Sequence, residues 1–415
     1  MTTPIPVESA APMRILLATQ YFSPEITAAP IRLHPFAAGL ARRGHDVTVL
    51  CEVPNHPRGV IEEEFRGRPL VRRVEDGFRV DRVWVRASPA KRARARLASY
   101  GSYAVMAALV GSLERRPEVI LASSPPLSVG AVGSLLAARF RVPWVFDVRD
   151  LWPEAAVVLG ELGPGRALRF AEWLERRLYR SAAAITTPTE PFRADIAAKA
   201  GDPDKVSVVP NGTTPMWLEA GREEVDRASL GLPADRFLWT YAGNMGLSQA
   251  LDVAVEAAGL LDEGFQLLLV GEGAARARLE RKAAELPGGA VAFRELAAPE
   301  LAARYMRASD ALLVPLADEP ALGKSVPIKL YDCCAVGRPV IVAAPGEPRR
   351  LAEQGAGLAL PPEDPRALAD AVRRLSADPG ERERLAAGAR EFAERSLREH
   401  QVERLEGILE SARPK

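Results

Sequence analysis

The chain has 415 residues, of which 26% are charged and 47% hydrophobic, and its net charge is +1 at pH 7. This length predicts two domains, each large enough for its own core, and the near-neutral charge argues against a nucleic-acid-binding protein. Three cysteines give no disulfide framework, and no apolar run reaches the ~18 residues that a membrane-spanning helix needs.

Residues 1–12 are polar and contain proline, and they lack the basic start and apolar stretch of a signal peptide. We interpret them as a disordered leader of a cytoplasmic protein.

The N-terminal half begins with alternating strand and helix patterns. Arg14–Ala18 and Asp46–Leu50 are predicted strands, joined by a loop over Gln20–Pro30 and an amphipathic helix over Ile31–Arg43. Rossmann-like domains begin in this way. The loop lacks the G-x-G-x-x-G pattern, which argues against an enzyme that binds NAD.

The segment that begins with the predicted strand Val80–Arg86 is basic at first and then apolar. No acidic residue occurs between Arg82 and Leu113, and from Leu97 onward aromatic and aliphatic residues predict a helix. Residues 86–113 fit a helix that lies on an anionic membrane surface. They fit a core-facing helix preceded by a solvated basic loop equally well, and both interpretations stay open.

Charged residues crowd the carboxyl end of a predicted central strand. Strand Pro143–Asp147 runs into a Val-Arg-Asp-Leu-Trp-Pro-Glu string that contains Arg149, Asp150 and Glu154. Charges at a buried strand end are costly unless they are paired or functional. We therefore expect either a functional cluster or an Arg–Asp pair that braces the strand. A helix follows over Arg166–Arg180, for which we predict that Trp173 and its neighbours Leu174 and Leu178 face inward.

Glycine-rich turns follow two predicted strands of the C-terminal half, Phe237–Tyr241 and Gln266–Val270. A glycine at such a turn lets the backbone approach a phosphate closely. The turn residues are Gly243, Asn244 and Gly246 after the first strand and Gly271, Glu272 and Gly273 after the second. A third strand, Val291–Phe293, leads to Glu295 and Leu296.

A strand–helix–strand pattern over Ala311–Ala343 carries the clearest signal for a ligand. Its predicted parts are strand Ala311–Val314, loop Asp318–Val326, helix Pro327–Val336 ended by Gly337, and strand Pro339–Ala343. The helix N-terminus favours phosphate, and Lys324, Ser325 and Lys329 add charge and donors there. Asp332 follows Lys329 by about one turn. These groups suit a nucleotide ribose next to a diphosphate. Beyond this pattern, Pro365–Ser376 and Glu381–Ser411 are predicted to be helical.

This ordered set of motifs resembles the retaining glycosyltransferases of family 4, which have the GT-B fold. The likeness covers roughly Arg14 to Glu391 and includes the glycine turns, the Arg-Gly-His-Asp-Val-Thr-Val-Leu run from Arg43, and a Gly-Arg-Pro-Val-Ile ending from Gly337. The Asp-Val-Arg-Asp-Leu-Trp-Pro-Glu string from Asp147 resembles a branch that builds O-antigen, capsule and slime polysaccharides and includes fucosaminyl transferases.

The resemblance implies an α/β protein of two Rossmann-like domains whose parallel sheets face each other across a cleft. We expect an acceptor-binding domain over 13–212, a donor-binding domain over 213–390, and a C-terminal helix over 391–415 that crosses back to the first domain.

The resemblance also implies roles for individual residues. Donor-binding residues would be Gly243, Asn244, Gly246, Gly271, Glu272, Glu295, Leu296, Ser325, Lys329 and Asp332. Catalytic residues would be Asp150, Arg149 and Lys324, and acceptor-binding residues would be Glu154, Ala28 and Ala29.

The chain departs from the family pattern at three places. Lys324 stands at the first acidic position of the family pattern. Ala28 and Ala29 replace its glycine pair, and Asn244 and Gln249 stand where many members carry a basic donor residue. We expect Lys324 or Lys329 to supply the missing charge.

The implied reaction moves a hexosyl or N-acetylhexosaminyl group from a nucleoside-diphosphate sugar to an acceptor hydroxyl, with retention. UDP is favoured over GDP, and the acceptor would be a lipid-linked saccharide at the inner face of the cell membrane. Neither a cofactor nor a bound metal is expected, and the four histidines have no metal-ligand spacing. Two alternatives stay open: a sugar-nucleotide epimerase of GT-B shape, and an inactive scaffold on the membrane surface.

Overall fold

The computed structural model of the protein describes residues 11–25, 27–56, 58–90, 92–158 and 163–413. The predicted leader over 1–12 therefore lies outside the described residues, apart from Ala11 and Pro12. The chain divides into two compact units, one of Met1–Val209 with Gln401–Lys415 and one of Pro210–His400. The domain boundaries predicted from the sequence were residues 212 and 390, compared with 209 and 400 in the structure.

The strands form one sheet in each unit. In chain order they are β1 Arg14–Thr19, β2 Asp46–Glu52, β3 Leu70–Glu75, β4 Phe78–Val83, β5 Val119–Ser124, β6 Trp144–Val148, β7 Ala184–Thr187, β8 Val206–Val208, β9 Phe237–Ala242, β10 Phe265–Val270, β11 Val291–Arg294, β12 Ala311–Pro315, β13 Val340–Ala343 and β14 Leu358–Leu360. The first sheet has the order β3-β4-β2-β1-β5-β6-β7-β8 and the second β11-β10-β9-β12-β13-β14.

The helices connect these strands. They are α1 Ala28–Arg42, α2 Ala93–Ser112, α3 Leu127–Phe140, α4 Glu154–Val158, α5 Arg166–Ser181, α6 Glu190–Ala200, α7 Pro215–Ala220, α8 Asp252–Gly259, α9 Arg276–Ala283, α10 Pro299–Arg307, α11 Ile328–Val336, α12 Gly346–Leu351, α13 Pro365–Ala377, α14 Pro379–Arg395 and α15 Arg398–Ser411. No helix in the described ranges combines the length and apolar content needed to cross a bilayer.

All neighbouring strands of both sheets are parallel except β3, which pairs antiparallel with β4. The sequence pattern predicted one strand, at Val80–Arg86, and did not predict this hairpin. The missed signal is the Asp76-Gly77 pair, because both residues have positive φ and Asp-Gly is a preferred two-residue hairpin turn.

Two apolar cores cover the faces of the first sheet. One holds Tyr103 of α2, Leu136 of α3, Leu178 of α5 and Ile196 of α6. The other contains residues of α1 together with Val402, among others, from α15. The helices α2, α3, α5 and α6 therefore form a layer on one face, and α1 and α15 cover the opposite face.

Helix α1 starts at Ala28, three residues before the predicted start at Ile31. Pro30 therefore lies in the first turn of α1. Backbone N–H groups in that turn have no partner within the helix, so the missing N–H of Pro30 costs no helical hydrogen bond. As a result Ala28 and Ala29 are helical, although the sequence analysis placed them in a loop.

The inward prediction for Trp173 was wrong. Helix α5 buries Leu178 and Tyr179 and leaves 54% of Trp173 exposed. The reason is that Tyr179 and Leu178 already fill the contact with the sheet, where Tyr179 packs against Phe146.

The strand–helix–strand pattern of the second unit agrees closely with its prediction. Strand β12, helix α11 and strand β13 lie within one residue of the predicted bounds, and Gly337 ends α11 in the left-handed conformation at φ 68°. Two details differ: Pro327 is the N-cap of α11, and the predicted loop contains a 3-10 turn over Leu322–Lys324.

The predicted helix over Glu381–Ser411 is broken in two. Helix α14 ends at Arg395 and α15 begins at Arg398, because the chain between them bonds to Thr213 instead of continuing the helix. The Thr213 amide donates to the Ser396 carbonyl, and the Arg398 amide donates to the Thr213 carbonyl.

Candidate active site

A cavity of about 530 Å³ lies at the carboxyl edge of the first sheet. Its wall uses residues that follow β1, β2, β5 and β6, since parallel strands bring their carboxyl ends to one edge. The lining residues include Tyr21, Thr27, Ala28, Ala29, Asn55, His56, Arg96, Tyr100, Arg149 and Asp150. A cavity of this size and position suits a small molecule or part of a larger one.

Arg149 is fixed at the cavity wall by its neighbours. Its Nε donates to Ser123 Oγ at 3.0 Å, and its Nη2 is buried without a hydrogen-bond partner among the described residues. Behind it, Asp147 accepts from Arg32 at 3.1 Å and from Thr186 at 2.9 Å. Burial alone would raise the pKa of Asp147, but the charges of Arg32 and Arg149 outweigh it and lower that pKa. Asp147 is therefore a carboxylate that holds the two arginines.

The Asp150 carboxyl borders the same cavity. Asp150 is exposed at the cavity rim, but the surrounding protein partly desolvates its carboxyl and raises its pKa, and the Arg149 charge offsets only part of this rise. A carboxyl group with a raised pKa beside a cation can accept a hydrogen bond or a proton from a bound hydroxyl.

The predicted acceptor residues do not all lie together. Ala28 and Ala29 are in the cavity wall with Arg149 and Asp150. Glu154 begins α4 and pairs with Lys199, and it is not among the residues that line the cavity.

The part of the cavity wall that follows β2 was not predicted from the sequence. The amides of Asn55 and His56 both donate to Glu25 Oε1 at 2.8 Å, and Asn55 Nδ2 donates to Glu52 Oε1 at 2.6 Å. Burial and the nearby Glu25 raise the pKa of Glu52 to about 8. Two buried carboxyl groups thus hold the loop that presents Asn55 and His56. Their position directly after a central parallel strand was the signal that could have identified them.

Two aromatic hydroxyls complete this wall. Tyr21 and Tyr100 both line the cavity, and burial, with smaller contributions from Glu52 and Tyr100, raises the pKa of Tyr21. The Tyr21 ring lies 5.6 Å from the His56 ring in an edge arrangement. Hydroxyl, amide and imidazole groups in one wall suit hydrogen bonds to a polyhydroxylated ligand.

In the second unit, three glycines bring the turns after β9 and β10 into backbone contact. Gly243 and Gly271 both have φ +139°, and a Cβ on Gly271 would lie 2.0 Å from the Gly243 carbonyl oxygen. A Cβ on Gly273 would lie 2.4 Å from the Met245 carbonyl oxygen. The Met245 amide also donates to the Glu272 carbonyl at 2.7 Å. Only glycine fits at these positions, and the turns present bare backbone.

Lys329 of α11 reaches this pair of turns. Its Nζ would lie 2.9 Å from a Cβ on Gly243, and it is 3.9 Å from the centroid of the buried Tyr241 ring. It donates to the Tyr241 hydroxyl, which donates to the Asn244 carbonyl. Burial lowers the pKa of Lys329 to about 7. A bound anion would therefore favour the charged form of the Lys329 amine and raise its pKa.

Asp332, one turn along α11, is held by a different neighbour. Its Oδ1 accepts from Thr213 Oγ1 at 2.8 Å. Burial raises the pKa of Asp332 to about 6, although the Arg398 charge and the Thr213 hydroxyl lower it in part. Lys329 and Asp332 thus lie on the same helix, but the Lys329 side chain bonds to Tyr241 and the Asp332 side chain bonds to Thr213.

The other predicted donor residues surround the two turns. Arg276 donates to the carbonyls of Gly271 and Arg294 and pairs with Glu272, so it ties the ends of β10 and β11. Glu295 follows β11, and Leu296 beside it is 67% exposed. An exposed leucine at the strand edge can cover one face of a base.

The remaining predicted groups lie on turns. Gln249 is occupied within the first turn, because its Oε1 accepts from the Gly246 amide at 3.0 Å. Ser325 donates to the Leu322 carbonyl at 3.3 Å, and Lys324 ends the 3-10 turn before it. Lys329 is the cation that the described contacts place against Gly243.

Two family models match the chain in the order of its units. One, described as a glycosyl transferase 4-like domain, matches residues 29–212, and the other, glycosyl transferases group 1, matches residues 236–378.

Among curated proteins, the chain is similar to a putative colanic acid biosynthesis glycosyl transferase, WcaI, of Escherichia coli. The two are 27% identical over 94% of this chain and 98% of that protein. A D-inositol 3-phosphate glycosyltransferase of Streptomyces bingchenggensis is 32% identical over 64% of this chain and 61% of that protein.

Solved structures show the same fold. A sucrose-phosphate synthase from Thermosynechococcus elongatus matches with a TM-score of 0.72 at 22% identity, over 96% of this chain and 98% of that one. The HepE protein of Anabaena, in complex with UDP and glucose, matches with a TM-score of 0.70 at 16% identity, over 96% of this chain and 100% of that one. The chain belongs to the family 4 glycosyltransferases of the GT-B fold, with a 4-like domain followed by a group 1 domain.

Proposed function

We propose that the chain transfers a hexosyl or N-acetylhexosaminyl group from a nucleoside-diphosphate sugar, with UDP favoured over GDP, to a hydroxyl of a lipid-linked saccharide. Transfer would retain the anomeric configuration and contribute to a cell-surface polysaccharide. Two relatives support this: HepE binds UDP and glucose, and WcaI is named for colanic acid biosynthesis.

The position of the Lys329 amine beside the bare backbone of Gly243 carries the proposal. Diphosphate oxygens need donors and positive charge. The glycine turn lets them approach the backbone closely, and the half-buried amine of Lys329 supplies both the donors and the charge. We assign the sugar nucleotide to this cluster, with its diphosphate at Gly243 and Lys329, its ribose at Asp332 and its base beside Glu295 and Leu296.

The proposed reaction breaks the bond between the anomeric carbon and the diphosphate oxygen and forms a bond from that carbon to the acceptor oxygen. The acceptor proton passes to an oxygen of the departing diphosphate. Lys324 and Lys329 would stabilise the charge that develops on the leaving group. In the cavity of the first unit, Asp150 and Arg149 would orient the acceptor hydroxyl. We propose that neither a cofactor nor a metal takes part, so activity should survive EDTA.

The proposed membrane contact uses residues 86–113. Helix α2 buries Tyr103 and Ala107, as the core-facing interpretation expected, but Val105 and Leu109 are each 60% exposed. Val105 and Leu109 are one turn apart and share a face, and the exposed Leu97 and Leu113 lie toward the two ends of the helix, so together they form an apolar stripe that winds around it. This face supports a peripheral position at the inner side of the cell membrane.

The proposal is tested by calorimetry with UDP and GDP, followed by a panel of sugar nucleotides in which release of the free nucleotide is measured. We expect UDP binding in the micromolar range and turnover of one or a few donors, with the product anomer defined by NMR. Conversion of UDP-GlcNAc alone into an isomer would support the epimerase instead. Failure to bind either nucleotide would support the inactive scaffold.

A further inference from the structure

Helix α5 has two chemically distinct faces. Its inner face buries Leu178 and Tyr179. The buried Glu175 forms an ion pair with Lys199, with 2.8 Å between Oε1 and Nζ. Its outer face exposes two aromatic rings, Phe170 at 61% and Trp173, whose centroids are 5.6 Å apart. Exposed aromatic pairs of this size are uncommon on a surface that meets only water.

Arginines surround these rings. The exposed ones on α5 are Arg166, Arg169, Arg176, Arg177 and Arg180. Within the part of the chain that the structure describes, none of the five guanidinium groups has a carboxylate within 4.0 Å. Arg177 lies over the Trp173 ring, 5.9 Å from its centroid. The one acidic side chain of this face, Glu172, is partly buried, so the face is strongly positive.

The face is open and continuous with other apolar positions. A shallow groove of about 640 Å³ runs along α5. Helix α3 packs between α5 and α2, contains no acidic residue and exposes Leu135. The outer side of this layer therefore joins the arginine-rich α5 to the exposed stripe of α2.

We propose that the outer face of α5 is a docking surface for an anionic lipid bilayer. Phe170 and Trp173 would enter the headgroup region, and the arginines would contact lipid phosphates. Indole and phenyl rings favour that interface, and each arginine near an anionic surface adds attraction that salt weakens. The inference extends the membrane part of the proposed function to a second helix. It favours lipid over an acidic protein or a nucleic acid because apolar rings lie among the charges along one helix.

The test uses the full chain and vesicles of phosphatidylcholine with or without 30% phosphatidylglycerol, by co-sedimentation. We expect binding to the anionic vesicles at least tenfold tighter than to neutral ones and sharply weaker binding at 0.5 M salt. The triple variant Arg176→Gln, Arg177→Gln, Arg180→Gln should lose at least tenfold, and the double variant Phe170→Ala, Trp173→Ala at least fivefold. Leu247→Ala, an exposed leucine of the second unit, is the matched control and should bind like the wild type.

The inference would be overturned if the wild type did not bind anionic vesicles, or if both α5 variants bound as tightly as the wild type. It would also be overturned if tRNA displaced the protein from anionic vesicles whose lipid is not saturated with protein. Unchanged α5 variants with loss in Val105→Ser, Leu109→Ser would assign the membrane to α2 alone. Release of nucleotide from the soluble donor reports on the proposed function separately, because α5 lies outside the donor cluster and should leave it unchanged.

Discussion

The amine of Lys329 lies 3.9 Å from the centroid of the Tyr241 ring and donates to the hydroxyl of the same residue. The half-buried lysine therefore contacts both the ring face and the hydroxyl group of Tyr241. This arrangement fixes the amine beside Gly243 before any ligand binds, and preorganised donors of this kind contribute most to the stabilisation of developing charge. It also explains why the amine tolerates burial, since the ring face offers partial compensation for lost water.

Lys329 should make donor binding depend on pH. Burial lowers its pKa to about 7, so the amine is largely neutral at pH 8, whereas a bound diphosphate favours the charged form. Binding above pH 7 should therefore take up a proton, and UDP affinity should fall by up to about tenfold per pH unit between pH 7 and 9. Calorimetry in buffers of different ionisation enthalpy measures both quantities.

Lys329→Met and Lys329→Arg provide the controls for this prediction. The methionine variant should bind UDP at least tenfold more weakly at pH 6.5 and show no added proton uptake. The arginine variant keeps its charge at every pH and should lose the pH dependence above 7. Protonation of UDP itself contributes equally to the pH dependence of binding in all three proteins. Wild-type affinity in the methionine variant would show that the diphosphate binds elsewhere.

Gly271 should not accept a side chain. A Cβ there would lie 2.0 Å from the Gly243 carbonyl oxygen, and its φ of +139° is a conformation that other residues rarely adopt. We expect Gly271→Ala to lower the free energy of unfolding by about 2 kcal/mol or more and to weaken UDP binding by displacing the first turn. Urea denaturation and calorimetry measure the two effects.

Gly407→Ala is the matched control for this substitution. Gly407 lies in α15, and a Cβ there would meet no atom within 4 Å. Alanine should stabilise the helix by about 0.5 to 1 kcal/mol and leave UDP binding unchanged. If Gly271→Ala behaved like this control, the close contact between the two turns would not exist in solution.

Local sequence signals accounted for the β12–α11–β13 unit within one residue. Gly337 marks the helix end and Pro327 its start, and both act through their own backbone. The positions of Asn55 and Tyr100 beside Arg149 could not be read in this way. Asn55 and Arg149 come together because β2, β1, β5 and β6 are ordered side by side, and Tyr100 joins them from helix α2. No local pattern encodes that arrangement.

The direction of Trp173 shows a second limit. A helical period allowed Trp173 to face the core, but the space beneath α5 is filled by Tyr179 and Leu178 against Phe146. Which of several apolar residues becomes buried depends on the shape of the neighbouring helices. The antiparallel strand β3 was missed for a different reason, because the local Asp76-Gly77 turn that joins it to β4 was not recognised.

Glu52 should make stability fall as pH rises. Its pKa in the folded protein is raised to about 8 by burial and by Glu25, above the ordinary value of 4.5. Its contribution is therefore fully present below pH 4.5 and is lost as pH rises through 8. Glu52→Gln keeps the shape of the protonated group and should be as stable as wild type at pH 5 and more stable, by an amount on the order of a few kcal/mol, at pH 9.

Urea denaturation across pH 5 to 9 checks this, with the exposed Glu383→Gln as the control that should follow the wild type. Parallel curves for the wild type and Glu52→Gln would mean that Glu52 does not titrate in this range. The same variant should keep UDP affinity, because Glu52 belongs to the first unit and the donor cluster to the second.

The resemblance to family 4 implies that Lys324 replaces the family's first glutamate, and substituting it tests the proposed action of its amine on the leaving group. If the amine stabilises the leaving diphosphate, Lys324→Ala should raise the KM for the donor several-fold and lower kcat by tenfold to a thousandfold, which corresponds to about 1.4 to 4 kcal/mol of transition-state stabilisation. Lys324→Glu restores the family residue but reverses the charge, and we expect it to be less active than the alanine variant. Lys282→Ala, a surface lysine of the same unit paired with Glu256, is the matched control and should keep wild-type kinetics. Steady-state release of UDP from the preferred donor measures all three, and unchanged kinetics in Lys324→Ala would leave Lys329 as the charge that replaces the missing basic residue.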